Sequence, residues 1–285
     1  MTSFDIRPIT GSFGADVLGL DLGRPLSADQ LAAITAAFAD HLVLAFRGQD
    51  LTVETLEAFA LQLGTYGETP FITPMDGHPD VLAVTREADE KGRLFGSGWH
   101  SDWSFQARPP SATILYAKQI PPQGGDTAFT NQQTAYDTLS DGMRKILDGL
   151  NAVHSARRSY GPSGSFGRPD PNAAMQILGD ERAVVEQLHP LVRVHPVSGR
   201  RSLFVNDVYT VGLEDMTEAE AAPLLGFLLE HSKTIDNTCR VRWEPGTVTM
   251  WDNRSVQHFA VDDYAGHRRE MWRITLAGEA PIPVS

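Results

Sequence analysis

Cysteine, basic charge and long apolar runs are scarce in this 285-residue sequence, and each scarcity excludes a class of protein. The single cysteine, Cys239, rules out an internal disulfide framework and fits a reducing, cytoplasmic compartment. Lys and Arg number 24 against 36 Asp and Glu, and a net charge of −12 without a basic run argues against nucleic-acid binding and against docking on an anionic membrane. The longest apolar runs, at 42–46 and 224–229, fall far short of the roughly 20 residues of a membrane span. Residues 1–8 have neither the basic nor the apolar region of a signal peptide.

Common catalytic motifs are missing as well. The sequence has no G-x-S-x-G nucleophile elbow, no P-loop, no G-x-G-x-x-G dinucleotide loop and no H-E-x-x-H zinc motif. These absences remove the usual signatures of α/β hydrolases, P-loop nucleotide hydrolases, Rossmann dehydrogenases and zinc metalloproteases. The histidines therefore become the main candidates for chemistry.

Capping residues and apolar spacing predict few helices. We expect helices over about 28–41, 53–62 and 141–149, and a fourth that begins at a capping box at 217–220. Short segments rich in Val, Ile, Thr and aromatic residues, bounded by Gly, Pro, Asn or Asp, predict strands at 42–46, 81–85, 113–117, 127–130, 191–194, 202–205, 239–243, 247–251 and 271–276. Residues 194–202 are typical of a hairpin turn.

This distribution favours a mainly β fold with helical decoration, of the jelly-roll type, in a single domain over 1–285. A doubly wound α/β fold would need strands that alternate regularly with helices, and the sequence lacks that alternation. The segment 157–180 differs from the rest because it is rich in Ser, Gly and Pro and has no periodicity. A loop of this length in a compact domain is usually a functional lid or disordered, and we predict an active-site lid.

A pair of potential metal ligands lies in the middle of the chain. His100 and Asp102 are two residues apart, so on an extended strand both side chains point to one face and can bind one ion. His258 would complete the two-histidine, one-carboxylate triad of non-haem Fe(II) oxygenases, which leaves coordination positions open for a cosubstrate and O2. Alone, an H-x-D pair is more often a surface or capping pair, so its context decides.

The context is an ordered set of motifs. Trp99-His-Ser-Asp-Trp-Ser-Phe105 is followed by Pro121-Pro-Gln-Gly-Gly-Asp-Thr127, then by Pro245-Gly-Thr-Val-Thr-Met-Trp-Asp-Asn-Arg254, His258 and Arg268-Arg-Glu-Met-Trp-Arg273. With these motifs the chain resembles, over nearly its whole length, the taurine dioxygenase and 2,4-dichlorophenoxyacetate dioxygenase (TauD/TfdA) family. The resemblance implies a double-stranded β-helix and an Fe(II)- and 2-oxoglutarate-dependent dioxygenase. Such an enzyme uses O2 to hydroxylate a C–H bond of a small substrate and releases succinate and CO2.

The resemblance also implies roles for individual residues. The Fe(II) ligands would be His100, Asp102 and His258. Thr127 would bind 2-oxoglutarate through its hydroxyl, and Arg269 would pair with the far carboxylate of that cosubstrate. Arg273 would meet an anionic group of the prime substrate. If 270–276 is a strand, Arg269 and Arg273 face one cavity because an even number of residues separates them.

Substrate identity is the least determined property. Positions at which taurine-specific members hold the sulfonate and amine align here with Thr73, Asp76 and Gly96, which argues against taurine itself. Aromatic residues are expected as apolar walls, with a plain core role as the alternative: Phe71, Trp103, Phe105 and Phe204. We favour a small, anionic organic molecule that is larger and less polar than taurine. Hydroxylation next to a heteroatom group would then release that group.

Two other functions stay open, namely a biosynthetic tailoring hydroxylase for an amino-acid or natural-product scaffold, and a non-catalytic metal-binding jelly-roll sensor. The resemblance allows a homo-oligomer, as a dimer or a tetramer. His189 and His195 share a predicted strand face without a carboxylate, so we interpret them as structural. His78 stays a candidate for the substrate pocket because it lies in the loop 71–80, which lines that pocket in the family.

Overall fold

The computed structural model describes residues 4–284 and consists mainly of sheet, with some helices. Residues 1–3 and 285, which belong to the predicted domain, lie outside the described residues. The strands within 4–284 are β1 (Asp5–Pro8), β2 (Ala15–Leu18), β3 (Val43–Phe46), β4 (Leu82–Arg86), β5 (Ala112–Gln119), β6 (Thr127–Asn131), β7 (Asn151–Ser155), β8 (Glu186–Pro190), β9 (Val192–Val194), β10 (Arg201–Leu203), β11 (Thr210–Leu213), β12 (Thr238–Val241), β13 (Val248–Asp252), β14 (Val256–Ala260), β15 (Arg269–Leu276) and β16 (Ile282–Pro283).

The α-helices of the same region are α1 (Ala28–His41), α2 (Val53–Leu63), α3 (Gln132–Asp137), α4 (Asp141–Leu147), α5 (Arg157–Tyr160) and α6 (Glu218–Ser232). Short 3-10 turns span Glu181–Val184 and Ile235–Asn237. None of the helices in residues 4–284 combines the length and the apolar character that crossing a bilayer requires.

Two sheets enclose the interior in which the site lies. The larger sheet has the strand order β1-β2-β3-β13-β5-β15-β4, and the smaller one has the order β12-β6-β14. Phe129 of β6 and Val256 of β14 belong to the same buried cluster as Leu115 of β5 and Met271 of β15, so the two sheets pack face to face. Helices α1 and α2 cover the opposite face of the large sheet.

Alternation along β15 explains how one strand serves both faces. Met271 points to the small sheet, whereas Trp272 and Ile274 pack in the cluster beneath the helices. Arg269 and Arg273 have the same parity as Met271, and both are buried. The strand therefore delivers two guanidinium groups to the interior between the sheets.

The predicted helices occur, with one shorter than expected. Helix α1 begins as predicted because Ser27 Oγ accepts a hydrogen bond from Gln30 N (3.2 Å), while Gln30 Oε1 accepts one from Ser27 N (2.9 Å). Helix α4 ends at Leu147, before the predicted residue 149. Each of the predicted strands overlaps an observed strand, and β9 and β10 form the predicted hairpin.

Several elements were not predicted, namely α3, α5, β1, β2, β7, β8, β11, β14 and β16. Strand β14 matters most because it carries His258. Its polar residues Gln257 and His258 are both buried, so the strand shows no alternation of apolar and polar residues. Gln257 is tolerated inside because its Nε2 donates to the Val205 carbonyl at 2.8 Å.

Candidate active site

The three predicted metal ligands lie together in the interior. His258 is on β14, and His100 pairs with it through a single β-bridge: His100 N donates to the His258 carbonyl (3.1 Å) and His258 N donates to the His100 carbonyl (2.8 Å). Asp102 Oδ1 lies 3.5 Å from His100 Nε2 and 3.7 Å from His258 Nε2. All three potential ligand atoms lie within 4.8 Å of one another, and all three residues are buried.

The geometry of the H-x-D motif differs from the expected extended strand. His100 makes only the bridge to His258, and the chain turns at Asp102. Trp103, the next residue, has a φ of 46°, in the left-handed region that residues other than Gly and Asn rarely adopt. Such a conformation costs on the order of 1–3 kcal/mol and is typical of functional sites.

Hydrogen bonds orient two of the ligands toward a common centre. His100 Nδ1 lies 2.8 Å from the Gly98 carbonyl, which fixes the proton on Nδ1 and leaves Nε2 free to bind a metal. Thr113 Oγ1 donates to Asp102 Oδ2 at 2.6 Å, and Asn253 Nδ2 donates to Thr113 Oγ1 at 2.9 Å. Asp102 Oδ1 therefore remains available to an ion.

Electrostatics set the protonation of the site. Burial, and then the neighbouring His100, lowers the pKa of His258 to about 3, so its imidazole is neutral. Burial alone would raise the pKa of Asp102, but the Arg273 guanidinium and the two imidazoles hold it well below its usual range. Two imidazole nitrogens and one carboxylate form a donor set that suits a divalent transition metal.

A cavity beside the triad contains the residues predicted to bind 2-oxoglutarate. Its lining includes Thr127, Arg269 and Arg273 together with the three potential ligands. Trp243 Nε1 donates to Thr127 Oγ1 at 3.0 Å, so the Thr127 hydroxyl proton is free to be donated to a ligand.

Arg269 is buried without an acidic partner. Its guanidinium lies between the rings of Trp243 and Tyr264, at 6.0 and 5.9 Å from their centroids, and its Nε has no hydrogen-bond partner in residues 4–284. Burial lowers the pKa of Arg269. Gly125, at a φ of +70°, lets the turn before Thr127 approach closely, because a Cβ there would lie 3.3 Å from Arg269 Nε. A buried, unpaired guanidinium is costly, and an anionic ligand would relieve that cost.

A second cavity lies on the other side of the triad. It shares Phe95, Gly96, His100 and Asp102 with the first cavity, so two of the three potential metal ligands lie where the two cavities meet. Its remaining lining includes Arg93, Trp103, Tyr160, Phe166, Val208 and Tyr209. Farther out, a cavity of about 200 Å³ opens between residues 84–95 and 165–177.

Comparison with known proteins identifies the family. The sequence profile of the family described as "Taurine catabolism dioxygenase TauD, TfdA family" matches residues 5–275. The chain belongs to this family. Membership confirms the resemblance and the predicted enzyme class, an Fe(II)- and 2-oxoglutarate-dependent dioxygenase.

Relatives of this TauD/TfdA chain include an alpha-ketoglutarate-dependent sulfate ester dioxygenase of Pseudomonas putida, which is 36% identical over 98% of this chain and 91% of the relative. A solved structure of a taurine dioxygenase from Burkholderia xenovorans has a TM-score of 0.83 at 34% identity, over 99% of this chain and 93% of that one. A structure of AAD-2 in complex with Mn(II) and N-oxalylglycine has a TM-score of 0.79 at 30% identity and covers 98% of each chain.

The aromatic residues predicted as substrate walls have different positions in this TauD/TfdA chain. Trp103 lines the second cavity, and its ring lies 5.0 Å from the Arg273 guanidinium carbon. Phe71 is not among the lining residues of either inner cavity but stacks on Tyr160, at 5.0 Å between centroids. Phe105 packs edge-on against Tyr209, also at 5.0 Å.

Phe204, also predicted as a wall residue, lies in a different environment. Its ring stacks on His154 at 5.1 Å and lies 5.0 Å from the Arg193 guanidinium carbon, and it lines neither inner cavity. Phe204 is therefore a core aromatic, the alternative interpretation of the sequence. The short predicted strand at 202–205 did not indicate whether Phe204 points toward the site or into the core.

Two interpretations of the remaining histidines also change. His189 lies on β8 whereas His195 follows β9, so they do not share one strand face. His195 does have a carboxylate partner, since its Nε2 is 2.9 Å from Asp252 Oδ2, a contact across 57 residues of sequence. His78 pairs with Glu57 at 3.0 Å and lines neither inner cavity.

Sequence reasoning missed Tyr160, Tyr209, Phe95 and Phe166 as lining residues. The one available signal was the Gly- and Ser-rich segment 157–180, predicted as a lid, which contains Tyr160 and Phe166. Tyr209 gave no signal because it lies in a turn without a motif.

Proposed function

We propose that His100, Asp102 and His258 hold Fe(II) and that the neighbouring cavity binds 2-oxoglutarate, so that O2 is used to hydroxylate a C–H bond of a small anionic substrate with release of succinate and CO2. The observation that carries this proposal is the cluster of three buried potential ligands beside Arg269, whose guanidinium has no carboxylate partner among the described residues. With Fe(II) bound, the centre would supply the activation of O2.

The residues present fit the metal. The Nε2 atoms of His100 and His258 lie 3.5 and 3.7 Å from Asp102 Oδ1, so two imidazole nitrogens and one carboxylate oxygen converge on one point. The similarity to a chain solved with Mn(II) and N-oxalylglycine supports a divalent metal beside a small dicarboxylate. The role of the chain is to hold the three donors and to keep bulk water away from them.

The residues also fit 2-oxoglutarate. Arg269 offers a planar, always charged fork for the far carboxylate, and Thr127 offers a hydroxyl proton. The Trp243 indole fixes the direction of that hydroxyl because it already occupies one acceptor position of the oxygen. A dicarboxylate bound here would supply the buried guanidinium with its missing partner.

Arg273 would bind the anionic group of the prime substrate. It is buried, its Nη2 lies 2.8 Å from Asp102 Oδ1, and both terminal nitrogens lack a hydrogen bond of good geometry among the described residues. Asp102 Oδ1 would be a ligand of the metal, so the terminal nitrogens of Arg273 would be available to a substrate anion. The similarity to a sulfate ester dioxygenase supports a substrate of this charge, and oxidation beside such a group would release it.

We also propose that residues 1–285 form one double-stranded β-helix domain with a lid over 157–180. The face-to-face packing of the two sheets supports the fold. The lid is supported by Phe166, Met175 and Ile177, which lie in the wall of the outer cavity. Hydrogen exchange would test the lid: 157–180 should gain protection when 2-oxoglutarate and substrate bind, and unchanged exchange would contradict it.

The test of the dioxygenase function combines binding and turnover. Under argon, the protein should bind 2-oxoglutarate tightly only in the presence of Fe(II), and in air it should release succinate with at least one of a panel of alkyl sulfates, sulfonates, aryloxyacids, phosphonates and amino acids. His258→Gln should remove Fe(II)-dependent binding. His231→Gln is the matched control, because His231 contacts Thr138 and the Ala135 carbonyl away from the site. A wild-type protein that neither binds 2-oxoglutarate nor releases succinate would refute the proposal.

A further inference from the structure

Two buried tyrosines, absent from the predicted site, line the cavity opposite the proposed 2-oxoglutarate residues. Tyr160 ends α5 and Tyr209 precedes β11, and both side chains are at most 3% exposed. Both line the second cavity, whereas Thr127, Arg269 and Arg273 line only the first of the two inner cavities. Tyr209 contacts His100 edge-on, at 6.0 Å between ring centroids. The two phenols therefore lie on the substrate side of the potential metal ligands.

The Tyr160 and Tyr209 side chains interact with each other, and the charges of Asp102 and Arg273 act on both. Asp102 lines both inner cavities and its Oδ1 lies 2.8 Å from Arg273 Nη2, so the Arg273 guanidinium reaches the junction of the two cavities. Two hydroxyls carry two protons, and a bond between them uses only one. The second proton is free to be donated into the cavity. Trp103 fixes the arrangement, since its ring lies 5.9 Å from the Tyr160 ring and 5.0 Å from the Arg273 guanidinium carbon.

The number of donors discriminates between anions. A carboxylate has two oxygens, which the fork of Arg273 can satisfy alone. A tetrahedral sulfate ester or sulfonate has three terminal oxygens and one negative charge, so it needs a further donor but no further cation. The aromatic rings around the phenols, including Phe95 and Phe166, suit the carbon chain of such a molecule.

We infer that Tyr160 and Tyr209 determine substrate specificity by adding a hydroxyl donor to the Arg273 fork, so that the site selects small organic sulfate esters and sulfonates over carboxylates. This inference rests on the proposed dioxygenase function. The competing possibility is that the phenols only pack against Phe71 and Phe105. Packing alone requires the rings and not the hydroxyls.

The experiment removes the hydroxyls and keeps the rings. Tyr160→Phe, Tyr209→Phe and the double variant are loaded with Fe(II) and 2-oxoglutarate under argon and titrated with hexyl sulfate, hexanesulfonate and hexanoate. Because a hydrogen bond to a charged group contributes substantially, we expect the Kd for both tetrahedral anions to rise about ten-fold in at least one single variant and further in the double variant. The Kd for hexanoate should change by less than about two-fold, and the Kd for 2-oxoglutarate should stay constant.

Tyr136→Phe is the matched control. Tyr136 is another buried tyrosine, but its hydroxyl donates to Asp148 Oδ1 at 2.8 Å, far from both inner cavities, so its loss should leave every Kd unchanged. Equal Kd values in wild type and the Tyr160 and Tyr209 variants would overturn the inference, as would equal losses for hexanoate and 2-oxoglutarate. A wild-type protein that binds Fe(II) and 2-oxoglutarate but neither tetrahedral anion would overturn it too. Failure to bind Fe(II) and 2-oxoglutarate at all would instead reject the dioxygenase function.

Discussion

The two cavities that meet at His100 and Asp102 are built from different kinds of chain. The first is framed by strands, with Thr127 at the start of β6 and Arg269 and Arg273 on β15. The second is framed by turns, loops and the short helix α5 around Tyr160 and Tyr209. Sheet hydrogen bonds fix the first set of side chains in register, whereas the second set can change with loop sequence. A constant cosubstrate and a variable prime substrate suit this division.

The largest loss of activity is expected from a substitution of Asp102, where the two cavities meet. Asp102→Asn replaces the anionic ligand by a neutral amide of the same shape, so Fe(II) binding and succinate release should fall below detection. Succinate release and bound iron per chain are the measurements. Asp16→Asn removes a half-buried carboxylate partner of Arg47 that lines neither inner cavity, so this variant should retain full activity. Normal turnover in Asp102→Asn would show that Asp102, where the two cavities meet, is not a required metal ligand.

A second variant tests the first cavity, which is framed by strands. Arg269→Ala should raise the Kd of 2-oxoglutarate about 100-fold, because a buried, bidentate carboxylate contact is lost. Isothermal titration with Fe(II) present measures it. The neighbouring Arg268→Ala is the control, since Arg268 instead pairs with Glu87 and Glu270 near the surface. An unchanged Kd in Arg269→Ala would point to a different carboxylate partner.

Arg273 tests whether the two cavities are separate. Arg273→Ala should weaken hexyl sulfate by about 30-fold, because the loss of a buried charge partner costs about 2 kcal/mol, and it should change the 2-oxoglutarate Kd much less. Parallel titrations of both ligands give the ratio. Equal loss for both ligands would show one merged site.

A smaller effect is expected from the residue that orients Asp102. Thr113→Val keeps the shape of the side chain but removes the hydroxyl that donates to Asp102 Oδ2, so kcat should fall about ten-fold while the 2-oxoglutarate Kd is retained. Steady-state succinate release and titration separate the two quantities. Thr275→Val, whose hydroxyl makes only a 3.4 Å contact with the Gly67 carbonyl, is the control. A loss of 2-oxoglutarate affinity without a change in kcat would contradict the positioning role.

The smallest effect concerns the core behind the site. Burial, the largest cause for each, lowers the pKa of His154 to about 3 and that of His189 to about 4, so both are neutral in the folded protein. In the unfolded chain they take up protons near pH 6.5. Above pH 6.5 these two histidines therefore make no pH-dependent contribution to the free energy of unfolding. Below that pH the free energy of unfolding falls, by at most about 1.4 kcal/mol per pH unit for each group, until the folded pKa is reached.

Urea unfolding at pH 7 and pH 5 measures this dependence. His154→Gln should reduce the loss of stability between the two pH values, because one group no longer takes up a proton on unfolding. An identical loss in wild type and variant would show that the pH dependence arises elsewhere. Activity at pH 7 should persist, since His154 lines neither inner cavity.

How much of the site the sequence could predict differs between the first cavity, which strands frame, and the second cavity. The inward positions of Thr127, Arg269 and Arg273 were predictable because these residues lie on strands, where parity fixes the direction of a side chain, whereas their ligand roles stay predictions. His258 was predictable as a residue but its strand β14 was not, because buried Gln257 and His258 hide the apolar alternation. The environment of Phe204, which directly follows β10, could not be predicted because a single aromatic residue does not show which interior cluster it joins.

The sequence by itself determined the family, the mainly β composition and the helix caps, since these depend on local patterns and ordered motifs. Only the tertiary structure decided which distant segments meet: the bridge between His100 and His258, the pairing of His195 with Asp252, and the approach of Tyr160 to Tyr209. The physical reason is that such contacts arise from packing between sheets and loops, and no periodicity along one segment records them.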